Sequence, residues 1–223
     1  FISHIASYII FLPQNSHDLY VTTIKSNYLD TNIEKIVKKP IISTDKMLAT
    51  AKVQSISSHK HPIVDFTYYQ HVLITIDNNM LMKIYHLQQQ QQQQQQEEHT
   101  NLNSMFINSH KFQDYDRISH ILLVNLNTLY IVAYQASSAC YILQYNIETK
   151  TIEYKYEIIS NNISCILHFN TMLSNGTIKT CLAISTDDGL IYIYDESNKQ
   201  CLALLNPTID AKQDKNFIID QKT

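Results

Sequence analysis

Short apolar runs separated by polar turns fill the chain between residues 117 and 206. Ile, Leu, Val, Tyr, Ala and Cys fill runs such as ILLV, LYIVAY and CYIL, whereas Asn, Asp, Ser and Gly occupy the breaks. Runs of this length with such breaks predict β-strands joined by tight turns. Residues 180–205, TCLAISTDDGLIYIYDESNKQCLALL, give strand, turn, strand, turn, strand. The pattern therefore predicts an all-β chain built from antiparallel hairpins.

One turn and the run that follows it carry a distinctive set of positions. Asp188 and Gly189 form the turn, and Tyr194 and Asp195 end the run. This set resembles the end of a WD40 repeat, where Trp-Asp takes the place of Tyr194-Asp195. The resemblance implies a β-propeller, in which four-stranded antiparallel blades are repeated.

Two earlier segments repeat part of this set of positions, which we call the repeat frame, and extend the resemblance. Tyr85 takes the place of Tyr194 in NNMLMKIYHL, and Tyr145 takes it in SACYILQYNIETK. The spacings are 60 residues from Tyr85 to Tyr145 and 49 from Tyr145 to Tyr194. Both exceed a WD40 repeat of roughly 40 to 45 residues, so insertions are expected. We predict structural roles for these three tyrosines, with their rings packed between blades.

The frame divides the chain into about four blades. The predicted ranges are 1–58 for a degenerate first blade, 59–110 for the second, 117–158 for the third, 162–206 for the fourth, and 207–223 for a tail or the start of a further blade. In the first blade, IASYIIFL and DLYVTTIK are expected to pair, with IEKIV and MLATAKVQSI as outer strands. The resemblance implies a ring of seven blades, so we expect this chain to be part of a longer propeller, as its first residue, Phe1, also suggests.

The second blade contains a Gln-rich insertion, predicted to span residues 88–103. Residues 88–96 are all glutamine. A glutamine tract has no apolar face to bury, so it is predicted to be disordered. It precedes SMFINSH, which is predicted to be the outer strand of the blade.

Composition and charge favour a globular protein. Hydrophobic residues make up 44% and charged residues 17% of the 223 residues, as expected of a packed domain. The net charge of −3 gives no basic surface for nucleic acid. No apolar run of about 18 residues predicts a membrane-spanning helix, and the first residues do not resemble a secretory leader. We expect an intracellular protein, cytoplasmic or nuclear, with four cysteines as small buried apolar residues: Cys140, Cys165, Cys181 and Cys201.

WD40 blades are often stabilised by a hydrogen-bonded set of His, Ser or Thr, Asp and Trp. The fourth blade offers Thr186 and Asp188 but no His before its first strand. The second offers His59 and Asp77, with Asn79 at the position expected for Asp. We therefore expect each such network to be incomplete, and stability to come mainly from packed Tyr, Ile and Leu.

The remaining candidate chemistry is sparse. His59, His61 and His71 form the densest histidine group, but no Cys or carboxylate cluster stands beside them to complete a tetrahedral metal site. The sequence has no G-x-S-x-G nucleophile motif, and two glycines are too few for the usual Gly-rich phosphate loops. We predict no catalytic, cofactor or metal site.

The leading functional prediction is a non-catalytic scaffold that binds other proteins within a larger complex. Two alternatives stay open: a hydrolase that uses a propeller channel, and self-association through the glutamine tract. For the hydrolase, the innermost strands offer only Asp65, His120 and His168. The W-D-x-R motif of some cullin ligase receptors corresponds to residues 194–197, where Ser197 replaces the Arg.

Overall fold

The computed structural model describes residues 7–24, 53–91, 100–135, 139–158, 162–172 and 175–206. The regular secondary structure in these ranges consists of β-strands, which form four antiparallel sheets. The prediction of an all-β chain of antiparallel hairpins is confirmed. The chain divides into two compact units, Phe1–Lys111 and Phe112–Thr223.

The first unit contains sheet 1, with strand order β1-β2-β3, and sheet 2, with strand order β4-β5-β6-β7. The strands are β1 (Ser7–Phe11), β2 (Asp18–Ile24), β3 (Val53–Ser58), β4 (Ile63–Tyr69), β5 (Val72–Asp77), β6 (Leu81–Gln91) and β7 (Thr100–Lys111). Chain neighbours pair throughout, so both sheets are simple meanders.

The second unit contains sheet 3, with strand order β8-β9-β10-β11, and sheet 4, with strand order β12-β13-β14-β15. The strands are β8 (Arg117–Leu123), β9 (Thr128–Tyr134), β10 (Cys140–Asn146), β11 (Thr151–Ile158), β12 (Ile163–Met172), β13 (Ile178–Thr186), β14 (Ile191–Asp195) and β15 (Cys201–Leu205). Short polar turns separate these strands, as the sequence predicts.

The described part of sheet 1 has three strands. In the second unit, the fourth strand of sheet 3 (β11) leads directly to the first strand of sheet 4 (β12). Strand β3 leads to β4 in the same way, so β3 holds the fourth position of its sheet, and β1 and β2 hold the second and third. Within the described residues, β1 from IASYIIFL pairs with β2 from DLYVTTIK, and MLATAKVQSI supplies the outer strand β3. The predicted strand IEKIV lies outside the described residues.

The Gln-rich segment also departs from its prediction. Residues 88–91 continue β6 and pair with residues 100–103 of β7, so a disordered insertion over 88–103 is wrong for both segments. Residues 92–99 lie outside the described ranges. Because β5 pairs with β6 only as far as His86, the later pairs form a two-stranded ribbon. Backbone hydrogen bonds hold such a ribbon without an apolar face.

Each unit has an apolar core between its two sheets. The first core contains Leu19, Val21, Ile56, Ile63, Leu73, Tyr85 and Leu87. The second contains Tyr130, Val132, Tyr134, Cys140, Ile142, Tyr156, Ile158, Ile163, Ile166, Leu182 and Ile184. Burying one such large side chain contributes about 2 kcal/mol, against about 1 kcal/mol for one hydrogen bond. Packing therefore dominates the stability of both units.

Candidate functional site

The three tyrosines of the repeat frame occupy equivalent positions. Tyr85, Tyr145 and Tyr194 lie on the third strand of sheets 2, 3 and 4. Each pairs with a leucine on the second strand, namely Leu73, Leu129 and Leu182. In all three sheets the pairing with the fourth strand shifts by one residue just before the tyrosine. Tyr85 and Tyr145 are buried, and Tyr194 packs partly buried against the second core.

The residue after each tyrosine differs between the sheets, and this residue determines whether the strand ends there or continues. The side-chain oxygens of Asp195 and Asn146 each accept a hydrogen bond from the backbone N–H two residues later, at 2.9 and 3.0 Å. Such Asx turns redirect the chain and end a strand. In sheet 2 the equivalent residue is His86, whose side chain does not form an Asx turn, and β6 continues to Gln91.

A buried polar network lies between sheets 1 and 2, in the loop before β4. His59 Nδ1 lies 3.1 Å from Asp77 Oδ2, and His59 Nε2 lies 2.8 Å from Thr75 Oγ1. Thr75 Oγ1 in turn lies 3.3 Å from Ser57 Oγ. The other carboxylate oxygen of Asp77 accepts hydrogen bonds from the backbone N–H groups of the turn before β6, at 3.0 and 2.9 Å. Four side chains from β3, β5 and the loop thus form one chain of hydrogen bonds.

The surroundings of His59 determine its protonation. Burial lowers the pKa of His59; the hydrogen bond to Asp77 acts in the opposite direction, and the charge of Lys83 again lowers it. His59 is therefore neutral at neutral pH. Because a carboxylate can only accept, Nδ1 carries the proton and donates to Asp77, and Nε2 accepts from the hydroxyl of Thr75.

The sequence of carboxylate, imidazole and hydroxyl is the order found in hydrolase triads. The hydroxyl of a triad must reach a substrate, however, and here Thr75 is fully buried, as are the side chains of His59 and Asp77. The network instead fixes the loop. His59 N donates to His17 O at 2.8 Å on one side, and Pro62 O accepts from Asn78 N at 3.0 Å on the other.

In this sheet the network joins the His, Thr and Asp members of the set, and the sequence has no Trp for the fourth. Asn79, placed by the sequence at the Asp position, does not supply the carboxylate; Asp77 does, two residues earlier. Thr75 and Asp77 alternate along β5, so both side chains face the same side of the strand as the loop. The pair T-x-D at the end of a strand, with a His before the preceding strand, was the available signal.

The corresponding turn of sheet 4 is more exposed. Thr186 Oγ1 donates to Asp188 Oδ1, and Gly189 N donates to Thr186 O at 3.0 Å. Gly189 has φ +85°, a conformation that suits glycine. In sheet 2 the equivalent residue is Met80, with φ 60°. The turn of sheet 2 therefore places the large side chain of Met80 on a backbone with left-handed φ.

Asp195 anchors the turn between β14 and β15. Its carboxylate lies 2.7 Å from Lys179 Nζ and accepts from Ser197 Oγ at 2.6 Å. The hydrogen bond from Lys179, followed by that from Ser197, lowers the pKa of Asp195 to about 2. Asp195 is almost fully buried, so it is a buried anion whose charge is balanced by the ammonium of Lys179.

Glu196 links sheets 3 and 4. It accepts from Tyr130 Oη at 2.7 Å and lies 3.0 Å from His168 Nε2. Burial alone raises the pKa of Glu196, but the hydrogen bonds from His168 and Tyr130 outweigh it and lower the pKa. Burial and the Glu196 carboxylate raise the pKa of Tyr130, so its hydroxyl stays a donor. Lys199 Nζ adds a bond to Gln144 of sheet 3 at 2.6 Å.

The residues considered for a hydrolase lie in both units. Asp65 lies in the first unit and accepts from Phe66 N at 2.8 Å. His120 Nε2 lies 3.2 Å from Ile163 O, linking sheet 3 to sheet 4, and His168 is paired with Glu196.

No group of three or more His, Cys, Asp and Glu side chains within the described ranges is placed to hold a metal ion. In the same part of the chain, no helix is both long and apolar enough to cross a membrane.

The cysteines divide into two pairs by exposure. All four are free; Cys140 and Cys181 are buried, whereas Cys165 and Cys201 are exposed. The prediction of four buried cysteines is therefore wrong for Cys165 and Cys201. Burial raises the pKa of Cys140 to about 11, so its thiol stays protonated and packs as an apolar group.

No family model matches the sequence, and no curated protein matches it. Solved structures match this chain. The WD40 β-propeller domain of Doa1 is 14% identical, with a TM-score of 0.45, over 86% of this chain and 51% of that one. The WD40 domain of coronin from Toxoplasma gondii is 14% identical, with a TM-score of 0.49, over 90% of this chain and 43% of that one. The computationally designed protein Ika8 is 11% identical, with a TM-score of 0.45, over 87% of this chain and 48% of that one.

This chain thus spans about half the length of these solved chains. Two of the three are WD40 domains. The class defined by the structure itself is an all-β protein of repeated antiparallel sheets, three of them four-stranded.

Proposed function

We propose that this protein is a non-catalytic scaffold, a WD40-like propeller module that binds other proteins within a larger complex inside the cell. The observation that carries the proposal is the outer strand β7. Met105, Phe106 and Ile107 are consecutive on it and are 56%, 54% and 51% exposed. Apolar side chains grouped in this way on a surface are typical of a protein-binding site.

The position and charge of β7 support the same function. It is the last strand of sheet 2, and Lys111 is its only charged residue. By contrast, the edge strand β11 of sheet 3 carries Glu153, Lys155 and Glu157. Charges on an edge strand discourage pairing with other chains. Strand β7 lacks that protection along most of its length.

The polar networks support a role without catalysis. His59, Thr75 and Asp77 are buried and connect a loop to a turn. Glu196 and His168 connect two sheets. Tyr85, Tyr145 and Tyr194, together with Asp188, Gly189 and Asp195, are proposed as structural positions of the repeat. No cofactor is needed for such a role.

The test is affinity purification of the tagged full-length protein, with chemical cross-linking and mass spectrometry. We expect stoichiometric partner proteins with cross-links near β7. The double variant Phe106→Ser/Ile107→Ser is expected to lose them. The matched control Ile152→Ser/Tyr154→Ser removes two exposed apolar side chains from edge strand β11 and is expected to keep them.

Circular dichroism and urea unfolding establish that both variants fold. A native protein that purifies without stoichiometric partners would overturn the scaffold proposal. Partners that both variants retain would keep the scaffold and move its binding surface away from β7.

Self-association through the glutamine tract has one observation in its favour. Residues 88–91 and 100–103 form a ribbon, and polar ribbons rich in glutamine can stack between chains. Deleting residues 88–103 while measuring molar mass by light scattering tests this alternative. An unchanged mass would exclude it.

A further inference from the structure

A groove of about 480 Å³ lies in the first unit, between β3 of sheet 1 and the outer strands of sheet 2. Residues 55–58 of β3 form one side. Lys83 and Tyr85 of β6, with Ser104 and Phe106 of β7, form the other. Part of the exposed stretch of β7 thus faces the groove.

The side chains in the groove are of three chemical kinds. Ser55, Ser58 and Ser104 supply hydroxyl groups, whereas the hydroxyl of Ser57 belongs to the buried network with Thr75. Phe106 packs edge to face on Tyr85, with ring centroids 5.8 Å apart, and Phe106 is 54% exposed. Lys83 is the only charged residue among those that line the groove, and its Nζ donates to Ser58 O at 2.5 Å.

These three kinds of group define a complementary ligand. One ammonium and the hydroxyl groups of three serines, with no carboxylate among the described lining residues, favour an anionic group. The exposed ring of Phe106 favours an apolar side chain next to it. Lys83 and Tyr85 are two residues apart on β6, and Phe106 pairs with Tyr85, so the charged and apolar parts lie side by side along the groove.

The β3 side of the groove offers backbone groups as well. Among the described residues, strand β3 is the outer strand of sheet 1, and its sequence VQSISS carries no charged residue. An edge strand presents N–H and C=O groups that an extended peptide can pair with. In an extended peptide, residues two apart point to the same side.

We propose that this groove binds an extended acidic peptide segment of a partner protein. The segment pairs with the edge of β3, directs an Asp or Glu side chain to Lys83, and places an apolar side chain two residues away on Phe106. This inference rests on the proposed scaffold function and specifies its partner. Strand β7 of a second copy is a poorer occupant because it contains no Asp or Glu.

The experiment is a library of nonapeptides with threonine spacers and two randomised positions, two residues apart, screened against the purified full-length protein. We expect selection of Asp or Glu at one position and an apolar residue at the other. Lys83→Glu is expected to change the selected charge from acidic to basic, and Phe106→Ser to remove the apolar preference. Each variant should weaken binding of the selected peptide about tenfold or more.

Two control variants alter the same residue types elsewhere. Lys150→Glu changes an exposed turn lysine, and Ile152→Ser changes an exposed edge-strand isoleucine; both should bind the selected peptide like the native protein. Lys83→Gln keeps a hydrogen-bond donor for Ser58 O, so it separates loss of charge from loss of fold. It should bind the acidic peptide more weakly without selecting a basic one.

Three results would overturn the proposal. One is that the Lys83→Glu variant still selects acidic peptides from the library. Another is a lack of selection by the native protein while stoichiometric partners still purify with it, which rejects the groove and keeps the scaffold. The third is a lack of selection together with self-association that Lys83→Glu and Phe106→Ser abolish, which makes a second copy the occupant. Absence of both peptides and partners would reject the scaffold itself.

Discussion

The two units both place a carboxylate where a strand meets a turn, but they balance its charge differently. In the first unit Asp77 accepts from neutral His59 and from two backbone N–H groups, all in the interior. In the second unit Asp195 is paired with the ammonium of Lys179, whose side chain is 30% exposed. The neighbouring carboxylate of Glu196 is 22% exposed.

This difference determines how each network responds to change. Hydrogen bonds in the interior cannot be replaced by water, so losing one leaves an unpaired polar group at full cost. An ion pair near the surface can be replaced in part by water and is weakened by salt. The first network should therefore be sensitive to mutation and insensitive to salt. The second should respond to pH and to salt.

The largest expected effect is that of Asp77→Ala. The substitution leaves His59 Nδ1 and two backbone N–H groups without their acceptor, so we expect the free energy of unfolding to fall by about 3 kcal/mol. Asp188→Ala in the corresponding turn of sheet 4 should cost only about 0.5 to 1 kcal/mol, because Asp188 is exposed. Urea unfolding followed by tyrosine fluorescence measures both. Equal losses would contradict the comparison.

Asp195→Asn should have the next largest effect. A pKa of about 2 against the ordinary value of 3.8 corresponds to about 2 kcal/mol of stability near neutral pH. Because the folded-state pKa is lowered, this contribution is present above about pH 4 and is lost as the pH falls through about 2. The stability difference between native and variant proteins, measured in urea from pH 6 to pH 2, should shrink at the acidic end. A difference independent of pH would exclude the ion pair as its source.

A smaller effect is expected for Tyr130→Phe. The change removes the donor 2.7 Å from Glu196 while keeping the buried ring, so the loss should be about 1 kcal/mol. Losing this donor should also raise the pKa of Glu196, which a carboxyl-detected NMR titration can follow. Tyr192→Phe, on the same core, is the control and should leave the Glu196 titration unchanged.

The smallest expected effects concern the two equivalent turn positions. Met80→Gly should raise the free energy of unfolding by about 0.5 kcal/mol, because glycine relieves the left-handed strain but gains freedom in the unfolded chain. Gly189→Ala should lower it by about 1 kcal/mol for the opposite reason. Thermal and urea unfolding can resolve both signs. A loss of stability in Met80→Gly would show that the packing of the Met80 side chain outweighs the strain.

The sequence predicts most strands because its apolar runs are short and its turns are marked by Asn, Asp, Ser and Gly. The run TIEYKYEI, for example, coincides with β11. Chain order alone does not show which position each strand of sheet 1 holds within its sheet. The connection from β3 to β4 reveals it.

The buried network and the ribbon were missed for different reasons. The buried network depends on the carboxylate of Asp77, two residues before Asn79, where the sequence analysis expects an Asp. The contact between His59 and Asp77 becomes visible only when β4 and β5 pair. The ribbon was missed because the prediction considered only that glutamine has no apolar face to bury. A strand that begins in the apolar part of β6 can continue into the glutamines through backbone hydrogen bonds alone. The groove joins β3 to β6 and β7, and no local pattern in the sequence marks it.

The ribbon at the end of β6 and β7 has a consequence for the length of the glutamine tract. A change in the number of glutamines in residues 88–96 would alter the length of chain between the paired parts of β6 and β7. The pairing register is set away from the tract, by pairs such as Leu81 with Lys111 and by the shift at Ile84/Tyr85. Added glutamines lengthen only the connection between two strands already aligned, and doubling such a loop costs only about 0.6 kcal/mol. The fold should therefore tolerate a change in the length of the glutamine tract, because the tract lies at the far end of a hairpin.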